Sequence, residues 1–302
     1  MEQDILVSVI INCHNGDKYL KKCIESVISQ TYQKWELILW DNCSNDNSAK
    51  IFKEFKESRF KYYFNSSKVP LSKARNMAAK HASGEWIAFL DSDDYWLDRK
   101  LEFQIDLIKN NTLEPSLVYS KSIILNSSIK IENSWSKNIV NSKKSISYKN
   151  MPNGEIFSSL IFENFIPLSS ALISKNKYFT KGPINEKLNQ AEDYDLFLKL
   201  SLNEIVLYSD CPQTIYRIHN NNLSATQLDL NFNETLIILD LYKKHPLYNK
   251  ALLSHIGCKF YSLLRRKDFI QIIILKKNGY TYFTLVKSLL YFIYYYLKIR
   301  FK

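Results

Sequence analysis

The stretch Gly84–Asp94, GEWIAFLDSDD, decides the fold. Its apolar run Trp86–Leu90 follows a turn residue and is followed by three carboxylates within four residues. A short apolar run bounded in this way is typical of a buried strand. We therefore predict a buried strand whose carboxyl end presents an acidic cluster. The cluster consists of Asp91, Asp93 and Asp94.

Strands and helices alternate upstream of this stretch. Compact apolar runs predict further strands at Val7–Ile11, Trp35–Trp40 and Phe60–Phe64. Apolar residues at helical spacing predict helices at Tyr19–Gln30, at 47–55 with Asp46 or Asn47 as its cap, and at Leu71–Ala82 with Gly84 closing it. Such alternation predicts an α/β fold with a mainly parallel sheet and flanking helices.

The pattern changes downstream. Periodicity predicts helices at Leu97–Ile108 and Asp193–Leu202. It predicts strands at Leu117–Leu125 and Ile166–Ile173, and strand and turn at Ile205–Arg217. Asn126–Asn150 shows little periodicity and is predicted to be irregular. After Gln227 the pattern is helical to the end, so we expect a C-terminal helical subdomain.

Polar residues follow the predicted strands where each one ends. His14 and Asn15 follow the first strand, Asp41 ends the second, and Asp91 follows the fourth. In open α/β sheets, ligands bind beyond the carboxyl ends of the strands. The sequence therefore predicts a ligand site at this edge.

The acidic cluster fits a divalent cation. Mg²⁺ takes one or two protein carboxylates, and phosphate oxygens and water complete its shell. Asp91 and Asp93 would therefore suffice beside a nucleoside diphosphate. The alternative is a solvated turn that caps the helix starting near Trp96.

A second acidic pair, Glu192 and Asp193, opens a predicted helix about 100 residues later. Carboxylates at a helix N-terminus are stabilised by the macrodipole, so capping alone explains them. The functional interpretation is that one of them is a general base, which is worth about 10²–10⁴-fold in rate.

Composition narrows the classes of protein. The chain of 302 residues is 46% hydrophobic and 24% charged, as a folded protein is. Five scattered cysteines without a CxxC pair argue against a disulfide framework or a zinc cluster and favour a reducing compartment. The first residues lack the basic segment of a secretory signal.

The net charge of +11 lies in the last fifth of the chain, where residues 243–302 hold thirteen Lys and Arg against Asp268 alone. Nucleic acid and anionic lipid are the two candidate partners. Tyrosine-rich helical periodicity favours a helix lying on a membrane, and a core helix is the alternative. Its apolar face would comprise Phe283, Val286, Leu290, Ile293 and Leu297.

Together these motifs resemble family 2 glycosyltransferases, which are inverting enzymes with the GT-A (Rossmann-like) fold that use nucleotide-diphospho-sugars. The ordered matches are Val7–Ile11 with Asn15, Asp41 with Ser44 and Asp46, Ala74–Asn76, Gly84–Glu85, Phe89–Asp94, Glu192–Asp195 and Tyr216–His219. They cover about residues 5 to 225. Asn12–His14, Asn42 and Cys43 depart from the family pattern, and Cys43 stands where glycine is common.

The resemblance implies roles for single residues. His14 would flank the base, and Asp41 would bond the uracil edge. Asn15, Asp17 and Arg75 would help to hold the nucleotide. Asp91 would contact the ribose side. Asp93, with His219, would bind Mn²⁺ or Mg²⁺; Asp193 would be the catalytic base, and Glu192 would lie at the substrate.

The resemblance also implies an organisation and a function. Residues 1–115 would bind the nucleotide sugar, 116–226 the acceptor, and 227–302 would form the basic helical region. We expect transfer of a hexose or N-acetylhexosamine from a UDP-sugar to a glycan acceptor, free or lipid-linked. The reaction would belong to bacterial lipopolysaccharide or capsule synthesis and take place at the cytoplasmic membrane surface. No nucleic acid is expected as a partner.

Two alternatives remain. One is a sugar nucleotidylyltransferase, although the loop after the first strand, Cys13–Asp17, lacks the glycine- and arginine-rich pattern and the lysine of those enzymes. The other is a non-catalytic protein that binds glycan or lipid.

Overall fold

The structure is a computed structural model that describes residues 4–126, 145–146, 151–219, 228–277 and 280–300. Within these ranges nine strands form one sheet. They are β1 (Val7–Cys13), β2 (Trp35–Asp41), β3 (Phe60–Phe64), β4 (Trp86–Phe89), β5 (Tyr95–Trp96), β6 (Leu117–Asn126), β7 (Ser145–Ile146), β8 (Leu172–Ser174) and β9 (Val206–Ile218).

Helices flank the sheet and form the C-terminal region. They are α1 (Asp17–Ile28), α2 (Ser48–Glu54), α3 (Leu71–Ala79), α4 (Lys100–Lys109), α5 (Phe157–Leu160), α6 (Lys175–Thr180), α7 (Glu192–Ser201), α8 (Leu228–Leu241), α9 (Tyr248–Arg266), α10 (Phe269–Lys277) and α11 (Tyr282–Arg300). A 3₁₀ turn spans Leu168–Ser170.

The strand order is β3-β2-β1-β4-β8-β6-β9-β5, and β7 pairs with β6. The first four strands pair in parallel, which confirms the α/β prediction for this half. All seven residues of β1 and all seven of β2 are buried, as expected for parallel strands covered on both faces. β8 joins β4 antiparallel and begins the mixed half of the sheet.

Two predictions about local structure are wrong. No strand spans Ile166–Ile173, because Pro167 leads into the 3₁₀ turn and only the last residues enter β8. Gly84 does not close a helix, since α3 ends at Ala79. It is required for another reason: a Cβ at Gly84 would collide with the Leu6 carbonyl oxygen beside β1.

The irregular segment predicted at Asn126–Asn150 lies mostly outside the described residues. Its described part includes β7, which pairs with Ser122 and Ile123 of β6.

The predicted C-terminal helices are present as α8 to α11. Ile238 and Leu239 of α8 are buried in the same hydrophobic core as the sheet. α9, α10 and α11 share a second, smaller core. α9 and α11 approach so closely that a Cβ at Gly257 would collide with the Ser288 carbonyl. The helical region is therefore continuous with the α/β core through α8.

Candidate active site

The loops that follow β1 and β2 are joined by hydrogen bonds at the carboxyl edge of the sheet. The Asn15 N–H donates to Ser44 Oγ at 3.0 Å, and the Asn45 N–H donates to Asn15 Oδ1 at 2.9 Å. His14 is exposed, with Nδ1 3.0 Å from the Asn42 carbonyl oxygen. His14 and Asn15 thus lie at the predicted edge, on loops that brace each other.

Cys43 has a φ of 65°, a left-handed conformation that favours glycine. This is the position where the sequence departs from a common glycine. The departure therefore costs backbone strain at this position.

Asp41 is fully buried at the end of β2. Its Oδ1 accepts the Ser44 N–H at 2.8 Å and its Oδ2 accepts the Tyr62 hydroxyl at 2.7 Å. Burial and the Asp41 carboxylate together raise the pKa of Tyr62. Tyr62 was not identified as a site residue from the sequence. The pattern of β3 predicts a strand but does not show that the Tyr62 hydroxyl reaches Asp41.

Asp17 is the first residue of α1, and its hydrogen bonds reach the loop between β2 and α2. Its N–H donates to Asp46 Oδ2 at 2.9 Å, and its carboxylate accepts the Asn47 side-chain amide at 3.4 Å. Asn47 is the N-cap residue of α2, but the side chain that bonds the first turn is that of Asp46, whose Oδ1 accepts the Ser48 N–H at 2.9 Å.

The turn after β4 carries the three carboxylates of Asp91, Asp93 and Asp94 and is called the acidic turn below. The structure gives each of the three carboxylates a different partner. Asp91 Oδ1 accepts Arg75 Nη2 at 2.7 Å, and Asp93 Oδ2 lies 2.9 Å from His219 Nε2. Asp94 is buried and accepts the Ser169 hydroxyl at 2.6 Å. The turn is therefore not a solvated one. Nor does it cap α4, which begins after Arg99 without a side-chain cap.

Arg75 joins the acidic turn to α7. Its Nη2 contacts Asp91, and its Nη1 donates to Glu192 Oε1 at 2.5 Å. Burial of Arg75 opposes its charge, but the carboxylates of Asp91 and Glu192 outweigh that effect and raise its pKa. Arg75 was predicted to hold the nucleotide; the structure places both terminal nitrogens on carboxylates.

Glu192 and Asp193, at the start of α7, differ in their surroundings. Glu192 is buried, and its Oε2 has no hydrogen-bond partner among the described residues. Asp193 is half-buried and accepts the Tyr194 N–H at 2.6 Å. Burial, and then the charge of Glu192, raise the pKa of Asp193 to about 7, although Arg75 opposes the shift. Asp193 can therefore accept a proton near neutral pH.

The pair Asp93–His219 suits a divalent cation. Adjacent ligands of an octahedral cation with bonds of about 2.1 Å lie about 3 Å apart, and these two atoms are 2.9 Å apart. Burial and Asp91 raise the pKa of Asp93, a penalty that a cation would relieve. Among the described residues no group of three or more His, Cys, Asp or Glu is placed to hold a metal ion.

Two further residues at this site were missed from the sequence. The Tyr19 ring of α1 stacks on His219 with centroids 5.2 Å apart, and the Arg217 guanidinium lies 4.5 Å from the same ring. Arg217 Nε also donates to the Asp93 carbonyl oxygen at 2.9 Å. The motif Tyr216–His219 contained the signal for Arg217, whereas nothing in the pattern of α1 indicated Tyr19.

Comparison with known proteins identifies the family of the first half of the chain. Residues 8–144 match the family described as "Glycosyl transferase family 2". A UDP-Glc:alpha-D-GlcNAc-diphosphoundecaprenol beta-1,3-glucosyltransferase, WfgD of Escherichia coli, is 42% identical over 123 residues, which are 41% of this chain and 48% of that protein. The matches to this and similar relatives span less than half of their length.

Solved structures support the fold. Staphylococcus aureus TarS 1–349, in complex with UDP-GlcNAc, superposes with a TM-score of 0.65 and 18% identity over 85% of this chain and 73% of that one. A mannosyltransferase from Pyrobaculum calidifontis, in complex with GDP-Man and Mn²⁺, superposes with a TM-score of 0.57 and 13% identity over 97% and 88% of the chains.

The fold is therefore that of GT-A glycosyltransferases, and the nucleotidylyltransferase alternative is not favoured. Through the domain that begins at Ser8 and carries the acidic turn, the chain belongs to glycosyl transferase family 2.

Proposed function

We propose that the chain transfers a sugar from a UDP-sugar to a hydroxyl group of a glycan acceptor, with inversion at the anomeric carbon. The observation that carries this proposal is the arrangement at the start of α7. Asp193, with a pKa raised to about 7, lies beside Glu192, and Arg75 connects Glu192 to Asp91 at the nucleotide edge. A proton acceptor and a nucleotide site thus belong to one connected network.

The proposed donor site lies on the loops after β1 and β2. His14 is exposed at this edge and would flank the base, whereas Asp41, fully buried and bonded to Ser44 and Tyr62, would fix the loop on which the uracil ring rests. Asn15 and Asp17 brace these loops, so their part in nucleotide binding is to fix the walls of the site. Asp91 would contact the ribose side while it accepts Arg75.

The proposed cofactor is Mn²⁺ or Mg²⁺ held by Asp93 and His219. Bound there, the cation would offset the negative charge of the nucleoside diphosphate as it leaves. Binding there requires the ionised carboxylate of Asp93, whose pKa is raised by burial and by Asp91, so a bound cation would favour loss of the Asp93 proton.

Asp193 is the proposed general base. A sugar hydroxyl is a poor nucleophile, and the ionised Asp193 would accept its proton as the oxygen attacks the anomeric carbon from the face opposite the diphosphate. Glu192 would help to orient the substrate, since its Oε2 lacks a partner among the described residues. Residues 1–115 would form the donor half and 116–226 the acceptor half.

We further propose that the acceptor is lipid-linked and that the product is a bacterial surface polysaccharide such as lipopolysaccharide or capsule. The name of the Escherichia coli relative, which specifies a GlcNAc-diphosphoundecaprenol, supports this choice. The chain then works on the inner face of the cytoplasmic membrane, where such an acceptor lies in the bilayer and the donor in the aqueous phase.

The C-terminal helices supply a surface for that membrane. No helix in the described ranges has the length and apolarity needed to cross a bilayer. The predicted apolar face of α11 instead points outward: Phe283 is 78% exposed and Leu290 64%, with Val286 and Ile293 also exposed. Since residues 243–302 carry thirteen basic side chains and one acid, an anionic lipid surface matches this face in both hydrophobicity and charge.

A donor panel tests the proposed reaction. The full chain is incubated with UDP-glucose, UDP-GlcNAc, UDP-galactose and GDP-mannose, with and without Mn²⁺, and with a synthetic GlcNAc-diphospho-lipid. We expect release of UDP that depends on metal and rises with acceptor. Failure of UDP to bind in calorimetry with Mn²⁺, or formation of pyrophosphate from UTP and a sugar 1-phosphate, would refute the proposal.

A further inference from the structure

The carboxylate of Glu234 binds three consecutive backbone N–H groups just before α7. Oε1 accepts the Asn189 N–H at 2.8 Å, and Oε2 accepts the N–H groups of Gln190 and Ala191 at 2.8 and 2.9 Å. Glu234 is only 4% exposed. Three charge-assisted bonds to one buried carboxylate make a specific contact, since each is stronger than a bond between neutral groups.

The helix that carries Glu234 is fixed in the core. Ile238 and Leu239, one turn further along α8, are buried in the core that also contains the strands. A second bond from the same helix, Asn231 Nδ2 to the Gln190 carbonyl oxygen at 3.2 Å, holds the same segment. The segment before α7 is therefore held by a rigid element outside the matched family domain.

The contact lies next to the proposed base. Ala191 is the N-cap of α7, and Glu192 and Asp193 are its first two residues. On the following residue, the Tyr194 hydroxyl lies 3.3 Å from His255 Nε2 of α9. Helices of the C-terminal region thus contact the start of α7 on both sides of Asp193, whereas the proposed donor site is built from the strand ends and loops of the parallel half, with Arg75 of α3.

We propose that Glu234 is a positioning residue for sugar transfer: by holding the N–H groups of Asn189, Gln190 and Ala191, it fixes the first turn of α7 and with it the carboxylate of Asp193. This inference rests on the proposed function, in which Asp193 is the base. It assigns the C-terminal region a part in the reaction, in addition to the proposed membrane-binding face of α11.

Glu234→Gln tests the proposal in the full chain. Its amide keeps one acceptor oxygen but turns an NH₂ group toward backbone N–H donors, so the three bonds cannot all form. With the donor and acceptor that the panel identifies, we expect kcat to fall about 100-fold, as for a misplaced reacting group. The Kd of UDP with Mn²⁺ should change less than about twofold, since the nucleotide site lies on other elements.

Asp240→Asn is the matched control, because Asp240 is an exposed carboxylate on the same helix whose loss changes the charge equally. It should keep wild-type kcat. If Glu234→Gln unfolds, Asn231→Ala removes only the bond to the Gln190 carbonyl, and kcat should fall several-fold while UDP affinity holds. Wild-type kcat in a folded Glu234→Gln, or an equal loss of kcat and UDP affinity in either variant, would overturn the proposal.

Asp193→Asn, assayed in parallel, separates the two ideas. If it keeps full transfer, Asp193 is not the base and the proposed function fails whatever Glu234 does. If it loses transfer while folded Glu234→Gln keeps wild-type kcat, only the positioning role fails.

Discussion

Asp193 is half-buried, and burial together with Glu192 raises its pKa to about 7. A general base works only when ionised, so kcat/KM of the free enzyme should fall as the pH drops below about 7 and level off above it. Asp193→Asn should lose about 10²–10⁴-fold in transfer above pH 7, lose less at lower pH where the wild-type carboxyl is itself protonated, and keep its UDP affinity. Initial rates across pH 5 to 9 measure this; a flat acid side in the wild type would contradict the assignment.

Asp93 is the proposed carboxylate ligand of the metal ion. Asp93→Ala leaves His219 as the single remaining ligand of the pair, so the gain in UDP affinity that Mn²⁺ gives should shrink about tenfold or more. Calorimetry with UDP, with and without Mn²⁺, measures the gain. Asp98→Ala, which removes an exposed carboxylate a few residues along, should leave it intact. An undiminished gain in Asp93→Ala would remove Asp93 from the metal site.

At the scale of elements, the 3₁₀ turn at Leu168–Ser170 holds the acidic turn in place. Trp96 Nε1 and Gln104 Nε2 donate to the carbonyls of Ser169 and Ser170 at 2.7 and 2.8 Å. The Ser169 hydroxyl then donates to Asp94 at 2.6 Å. The turn replaced the strand expected there, and it connects the α4 region to the carboxylates of the site.

Ser169→Ala should therefore destabilise the protein. It leaves a buried Asp94 oxygen without its donor, at a cost of about 1–3 kcal/mol in the free energy of unfolding. Urea unfolding followed by circular dichroism gives the difference. Ser158→Ala, at an exposed serine on α5, serves as the control and should be neutral. Equal stability of both variants would show that the hydroxyl contributes nothing to the turn.

The alternation of apolar runs and helical spacing sufficed to predict the parallel half of the sheet. β3 matches its predicted bounds, and β1, β2 and β4 end within two residues of theirs. The mixed half was less predictable, because Leu172–Ser174 is too short to show a period and Pro167 ends the run before it.

The site was predictable where residues follow one another in sequence and much less so where they meet in space. His14, Asp41 and Asp91 lie at the predicted edge, since strand ends fix it. The bridge from Arg75 to Glu192 joins residues 117 positions apart, and no local pattern reveals such a contact. The contact of Asp41 with Tyr62 escaped detection for the same reason.

For the whole molecule, the exposed face of α11 predicts binding to anionic membranes. Replacing Phe283 and Leu290 by serine removes two of its most exposed apolar side chains and should weaken binding about tenfold or more. Sedimentation with vesicles containing phosphatidylglycerol measures it. Transfer to a water-soluble acceptor should be unaffected. Unchanged sedimentation would leave α11 as a packing helix only.

The burial of α8 in the sheet core has a practical consequence for engineering. A truncation just after the family motifs, near Gln227, would remove Ile238 and Leu239 from the interior and expose the apolar surface they cover. Ala251 of α9 lies in the same core, so a fragment intended for crystallisation, or for fusion to another anchor, should keep at least α8 and α9 and be cut only after Arg266. The family motifs end before Gln227, but the hydrophobic core extends into the helices that follow.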